Sequence, residues 1–541
     1  MGLAGFAAPA LASRNVEREA LHDYARARLA DGDGALGASV ASYKRALSID
    51  PGSAVLALRS YRQALESGDK KLALRAAHIL DGELALPPDG TLLLLSEALQ
   101  EKDWTAADAL TQRLVAERNF AFLVPIVTSW ISLSKGQYAP PVLPQEKSIA
   151  SLTRRYVAEH QALQYLALKD AEQALPLVQQ AVALRTNLLL GFRMTAAARL
   201  ASLRWKEAAE GLLNIRSKDA VRFRQAIEAG KRPRRPEVST AAQGYARLLF
   251  RLAEDLSGEN SRTLALTMAR IASFTDPKAD EYRVQVAREL VNAGQPELAY
   301  RELGRVNGKS PVAWSANDVR IAAVLDMGNS DMALAMAQKA VAVSGADSGD
   351  YIRLAGLLSR RDEHQAAADA YQQAMDIFGE SPLPWTLHLL KGGALEQAGR
   401  WSEAKAELEK AAALAPNEPV ILNYLGYAQI ERRQNVGQAL ALIEKASDLR
   451  PDDAAITDSL GWAHYVNGDV KSAIPVLEKA VAGAPSDATV NEHLGDAYWA
   501  AGRRFEARYS WNAAYVFADE NGQKRIAKKI ELGFRPDFAA P

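Results

Sequence analysis

An all-α chain of stacked helical hairpins is predicted by three observations: a period of 34 residues, small residues at the positions that recur, and apolar spacing of three to four residues with no strand-like alternation. Ala439, Ala473 and Ala507 are 34 apart, as are Ala265, Ala299, Ala333 and Ala367. The same interval links Ala73 to Ala107 and Ala174 to Ala208. Other positions move in step, Leu460-Gly461 returning as Leu494-Gly495 and Ala480 as Ala514.

The residue types fit the geometry. Two antiparallel helices approach closely only where the facing side chains are small, so glycine and alanine mark the contacts. In one unit Leu460-Gly461, Gly468, Ala473, Leu477, Ala480 and Pro485 spell a helix, a short turn, a second helix and a proline that stops it. The last unit carries Leu494, Gly495, Tyr498, Gly502, Ala507, Trp511 and Ala514. This pattern resembles the tetratricopeptide-repeat (TPR) family, and about thirteen to fifteen such hairpins fit between Arg18 and Ala514. The resemblance implies a TPR α-solenoid, a right-handed superhelix of helical hairpins.

From the N-terminus, Met1 to Ala12 (MGLAGFAAPALA) is apolar and ends in Ala10-Leu11-Ala12. It reads either as the remnant of a secretory signal peptide cut after Ala12, without its basic n-region, or as an ordinary terminus. Residues 13–230 read as a degenerate N-terminal array, interrupted by Ala139-Pro140-Pro141-Val142-Leu143-Pro144 in place of part of a repeat. Lys231-Arg232-Pro233-Arg234-Arg235-Pro236 cannot continue a helix, so 231–240 is the expected linker between the arrays. A more regular array follows over 241–518, and 519–541 reads as a capping helix, Asn521 to Ile530, with a tail.

Composition narrows the function. With 65 basic and 65 acidic residues the chain has no global field to draw nucleic acid or an anionic surface. Without cysteine it has no disulfides, thiolate metal sites or thiol nucleophile. Gly32-Asp33-Gly34-Ala35-Leu36-Gly37 matches G-x-G-x-x-G, but a helix rather than a strand precedes it, so it reads as a hairpin turn. Ser67-Gly68-Asp69-Lys70 and Ser132-Leu133-Ser134-Lys135 fit S-x-x-K without its companion motifs. His22, His78, His160, His364, His388, His464 and His493 are scattered singly. No catalytic, cofactor or metal site is expected, and the chain reads as no enzyme.

A binding surface is expected instead. The TPR resemblance places the first helix of each hairpin on a concave face, and its inward positions give Asn423, Tyr427 and Ile430, then Asp458, Trp462 and Tyr465, then Glu492, Asp496 and Trp499. The result is an aromatic and acidic stripe, with Trp462 the foremost anchor; packing against neighbouring hairpins is the alternative use of these rings. Asn423-Tyr424-Leu425-Gly426-Tyr427, Asp458-Ser459-Leu460-Gly461-Trp462-Ala463 and Glu492-His493-Leu494-Gly495-Asp496-Ala497-Tyr498-Trp499 are similar to large proteobacterial envelope TPR proteins, some of them adaptors of carboxyl-terminal processing proteases. That implies a periplasmic scaffold whose partner is such a protease or an envelope assembly factor. The rivals are an envelope-assembly or polysaccharide-export scaffold and a cytoplasmic regulator that touches nucleic acid through Lys231 to Arg235.

Overall fold

The computed structural model describes residues 8–183, 189–215, 217–231, 238–258, 261–343, 345–378 and 382–538, with side chains from residue 18 onwards. Among these the regular structure is helical throughout. The chain forms two compact units, Met1–Met336 and Ala337–Pro541.

Unit 1 opens with the hairpins α1 (Ala8–Gly32) and α2 (Leu36–Ile49), α3 (Ala54–Ser67) and α4 (Lys70–Gly82), and α5 (Pro88–Glu101) and α6 (Trp104–Ala116). α7 (Val124–Ser134) has no second helix, because the prolines that follow hold the backbone out of helix until α8 (Lys147–Ala167). α9 (Ala171–Ala183), the pair α10 (Leu190–Ser202) and α11 (Lys206–Leu212), and α12 (Lys218–Glu228) come next. The unit continues with α13 (Ala241–Leu256) and α14 (Arg262–Thr275), α15 (Asp280–Asn292) and α16 (Pro296–Leu303), and α17 (Ala313–Asp326). The division between the units falls inside α18 (Ser330–Val341).

Unit 2 is the regular array. Its hairpins are α19 (Ser348–Ser359) with α20 (His364–Phe378), α21 (Trp385–Gln397) with α22 (Trp401–Leu414), α23 (Pro419–Glu431) with α24 (Val436–Leu449), α25 (Ala454–Val466) with α26 (Val470–Gly483), and α27 (Ala488–Ala500) with α28 (Arg504–Phe517). α29 (Glu520–Leu532) closes it. Local chemistry starts these helices: Asp453, Asp469, Asp487 and Asp519 each accept a hydrogen bond from a backbone N–H of the first turn. The recurring Leu-Gly has a packing cause, since a Cβ on Gly461 would run into Leu477 of the paired helix.

Unit 1 departs from a simple stack. α13 lies against α5, α7 and α8, and α14 against α3 and α5, so the later hairpin covers first helices of the earlier ones. Polar side chains fasten it by meeting helix carbonyls, four of which lie at C-termini that leave them without partners. Arg270, 2% exposed, donates to Leu65 O at 2.9 Å and Glu66 O at 3.1 Å, and pairs with Glu302 at 2.9 Å. Gln100 returns the arrangement, donating to Phe274 O at 3.0 Å and Thr275 O at 2.7 Å. Tyr245 Oη donates to Leu92 O at 2.9 Å. Arg247 and Arg251, both fully buried, face Glu159 and the carboxylates of Glu281, Glu254 and Asp255. Apolar packing in unit 1 accordingly forms one cluster running from Ala46 to Ala323, whereas unit 2 holds separate clusters, each shared by adjacent hairpins.

This placement moves the domain boundary expected at 231–240. Residues 232–237 lie outside the described residues, but the helices after them pack into unit 1, and the division comes at Met336/Ala337.

α13 passes so close to α7 that a Cβ on Gly244 would overlap the fully buried Trp130 indole. Gly244→Ala is therefore expected to cost about 1–3 kcal/mol by overpacking, read as a lower urea midpoint by circular dichroism.

Candidate protein-docking groove

In unit 2 the first helices form an inner row, with α23 against α25 and α25 against α27. Four of them, α21, α23, α25 and α27, line a groove of about 700 Å³. Its walls include Glu396, Asn423, Tyr424, Tyr427, Glu431, Arg432, Asp458, Asp487 and Thr489.

The sequence fixes each wall locally. Asp487 is the N-cap of α27 and accepts from Thr489 N at 2.8 Å and Val490 N at 3.1 Å, which holds a carboxylate at the rim. Glu396, at the end of α21, accepts from Tyr424 Oη at 2.6 Å and pairs with Arg432 at 2.8 Å. Glu431 accepts from Trp462 Nε1 at 2.8 Å. Burial, then the charges of Glu431 and Asp458, push the Tyr427 hydroxyl far above its ordinary range, so it stays protonated. The Asn423 side-chain oxygen is shielded from solvent and meets no donor.

The nine inward positions divide into two groups. Asn423, Tyr427 and Asp458 line the groove. The others are engaged by the fold. Ile430 is buried with Ala439, Ile443 and Trp462. Trp462 is only 5% exposed, with ring centroids 4.8 Å from Tyr465 and 4.0 Å from His493, so the ring read as the foremost anchor packs between α25 and α27. Burial and Asp496 push Tyr465 up to about 12. In the third row α29 covers the acids: Lys529 Nζ lies 2.6 Å from Glu492 and 2.7 Å from Asp496, Arg525 pairs with Glu492 at 2.7 Å, and Trp511 Nε1 donates to Asp496 at 2.9 Å. Trp499 packs near Trp511, with the Arg504 and Arg508 guanidinium groups over its ring.

Glu396, Tyr424, Glu431, Arg432, Asp487 and Thr489 were not among the sequence-predicted positions. One signal was available: Asp453 and Asp487 repeat at the period of 34, each at the start of a first helix. An exposed apolar stripe on α28, Phe505, Tyr509 and Val516, also went unread.

The motifs suggestive of chemistry have structural partners. Ser67 Oγ donates to Ala64 O while Lys70 reaches Gln100 and Phe274 O; Ser132 Oγ donates to Ser129 O while Lys135 pairs with Asp108. Gly32 to Gly37 runs from the end of α1 through the turn 33–35 into the first residues of α2. Among the described residues no group of three or more His, Cys, Asp or Glu is placed to hold a metal ion, and no helix is long and apolar enough to cross a membrane.

The Tetratricopeptide repeat family matches residues 352–419, 425–488 and 459–522, so unit 2 carries a TPR array. No curated protein matches the chain. Among solved structures, a chain of the APC/C hetero-tetramer Cut9-Hcn1 is 14% identical, covering 95% of this chain and 96% of that one, with a TM-score of 0.41. A tetratricopeptide repeat protein from Parabacteroides merdae is 14% identical over 47% of this chain and 99% of its own, at a TM-score of 0.40. A thermophilic TPR protein of Thermus thermophilus is 19% identical over 34% and 98%, at 0.30. The class so defined is a helical-repeat protein.

Two outcomes follow from the buried charges. Lys529→Ala leaves Glu492 and Asp496 buried without their shared cation, an expected loss of about 3–5 kcal/mol in the unfolding of unit 2, seen in thermal melts of the full chain. Burial alone would depress the His493 imidazolium, but Asp458 at 2.9 Å, helped by Asp496 and Glu431, outweighs it and holds the pKa above the ordinary value. A raised folded pKa gives stability that is complete below about 6.5 and lost as pH rises through the folded value. The wild type should lose urea resistance over that window relative to His493→Gln, whose side chain does not titrate.

Proposed function

We propose that the chain is a non-catalytic adaptor that docks an extended segment of a partner protein in the groove of unit 2. The observation that carries this reading is the contrast between the inner helices of the two units. Those of unit 1, α3, α5, α7 and α8, are covered by its own hairpin α13–α14, whereas α21, α23, α25 and α27 share an open groove. Three helix-to-helix steps of about 8–10 Å span roughly 24–30 Å, the reach of about 7–9 extended residues.

A finer reading follows from the resemblance of Leu425-Gly426, Leu460-Gly461 and Leu494-Gly495 and their neighbours to envelope TPR adaptors. On it the chain works in the periplasm and presents bound segments to a carboxyl-terminal processing protease, or orders an envelope assembly. A nucleic-acid role is the weaker reading, since the groove is lined with carboxylates and most of Lys231 to Arg235 lies outside the described residues.

The test is selection of displayed random peptides on the immobilised full chain, followed by Thr489→Trp, which fills the groove from an exposed position at the start of α27. Peptides that lose at least about tenfold in affinity (~1.4 kcal/mol) on the variant support the reading. Peptides that bind both proteins alike, or no enrichment at all, reject it.

A further inference from the structure

We propose that the segment held in the groove of unit 2 is basic, presenting lysine or arginine side chains to Glu431 and Asp487. The inference rests on the docking reading above and names the chemistry of the ligand.

Charge decides it first. The groove is lined by four carboxylates, Glu396, Glu431, Asp458 and Asp487, against one cation, Arg432. That cation is already engaged: its guanidinium pairs with Glu396 at 2.8 Å and lies 4.2 Å from the centre of the Trp401 ring. Asp458 has His493 behind it at 2.9 Å. Neither Glu431 nor Asp487 has a cation within ion-pair distance among the described residues. Their hydrogen bonds are to neutral donors, Trp462 Nε1 for Glu431 and backbone N–H groups for Asp487, so neither is matched by a cation of the chain.

Shape and polarity agree. Tyr424 and Tyr427 give the groove aromatic wall area, and an ammonium or guanidinium over such a ring gains a further attraction. Beside these rings the lining carries neutral hydroxyls and amides, and its charge is that of the carboxylates. A ligand's carboxylate would find no uncommitted cation here, whereas the cationic ends of a basic segment find carboxylates without a cation on α23 and at the start of α27. The cores of these hairpins are made elsewhere, by Leu425, Ile443, Leu477 and Trp511, so the uncompensated acids are not required to hold the array together.

The test measures fluorescence anisotropy of labelled peptides on the full chain. One peptide carries lysines spaced by glycine and serine; the others replace each lysine with glutamine or with glutamate. Measurements at about 0.01 M and about 0.15 M ionic strength shorten the screening length from about 30 Å to about 8 Å. The variant is Glu431→Gln with Asp487→Asn, which removes charge while keeping the acceptor for Trp462 and a competent N-cap. The lysine peptide is expected to bind at least about tenfold tighter than the glutamate peptide, to weaken with salt, and to lose about tenfold on the double variant. The proposal is overturned if the glutamine or glutamate peptide binds as tightly, if the double variant leaves lysine-peptide affinity unchanged, or if no peptide binds at low salt. Should an uncharged or acidic peptide bind and be displaced by Thr489→Trp, the groove remains a docking site and only its basic preference fails. Peptides that bind unaffected by Thr489→Trp remove both readings.

Discussion

The seating of α13–α14 against α3, α5, α7 and α8 is the constraint from which the rest of unit 1 follows. A stack of hairpins with only neighbour contacts is quasi-one-dimensional, and each junction stands on its own packing. Arg270 reaching Leu65 O, Gln100 reaching Phe274 O and Tyr245 reaching Leu92 O join positions more than 150 residues apart, as the sequence separations of 205, 174 and 153 show. These groups cannot be dropped singly, because each buried donor left without its carbonyl would carry the full cost of desolvation. Closure of this kind explains the single core cluster of unit 1, and it also decides which inner helices are left for a ligand.

The period, the hairpin and the turn were legible because they are written locally. Small residues where two helices cross, a turn glycine and a terminal proline each do their work within one unit of 34 residues. The fold-back was illegible for the same reason. Arg247, Arg251 and Arg270 sit on helices as ordinary cations would, and nothing in the spacing separates a residue that meets the next hairpin from one that meets a hairpin far off in sequence. The expected boundary at 231–240 followed the strongest punctuation in the chain, Lys231 to Pro236. The actual division lies in α18, an uninterrupted helix with no such mark.

The site was half legible. Repeat position says that a side chain points inward, and all nine predicted residues lie on first helices. It does not say whether the next element covers them. Glu492 and Asp496 meet Arg525 and Lys529 because α29 occupies the place of one more first helix, each pair separated by 33 residues, nearly one period. The segment looked like a polar cap in sequence, yet its Lys529 is a buried partner and its Arg525 a half-buried one. Trp462 likewise had two uses open to it, and the stacking of Tyr465 and His493 on its ring spends it on the seam between α25 and α27.

The same acid therefore has different meaning at different rows of one array. In the last row the carboxylates lie at 0–2% exposure and are matched by cations of the chain itself, which is the condition for keeping such charges buried. Asp487, at the start of the same helix α27, and Glu431, two rows earlier at the end of α23, are instead held by neutral donors at positions that water reaches. Their desolvation is incomplete, so the fold tolerates them without a cation. A carboxylate in that state lowers the free energy of any cation brought beside it, and the gain grows as the ligand excludes water from the groove. What α29 does permanently for Glu492 and Asp496, a ligand of matching charge would do reversibly for the acids of the groove.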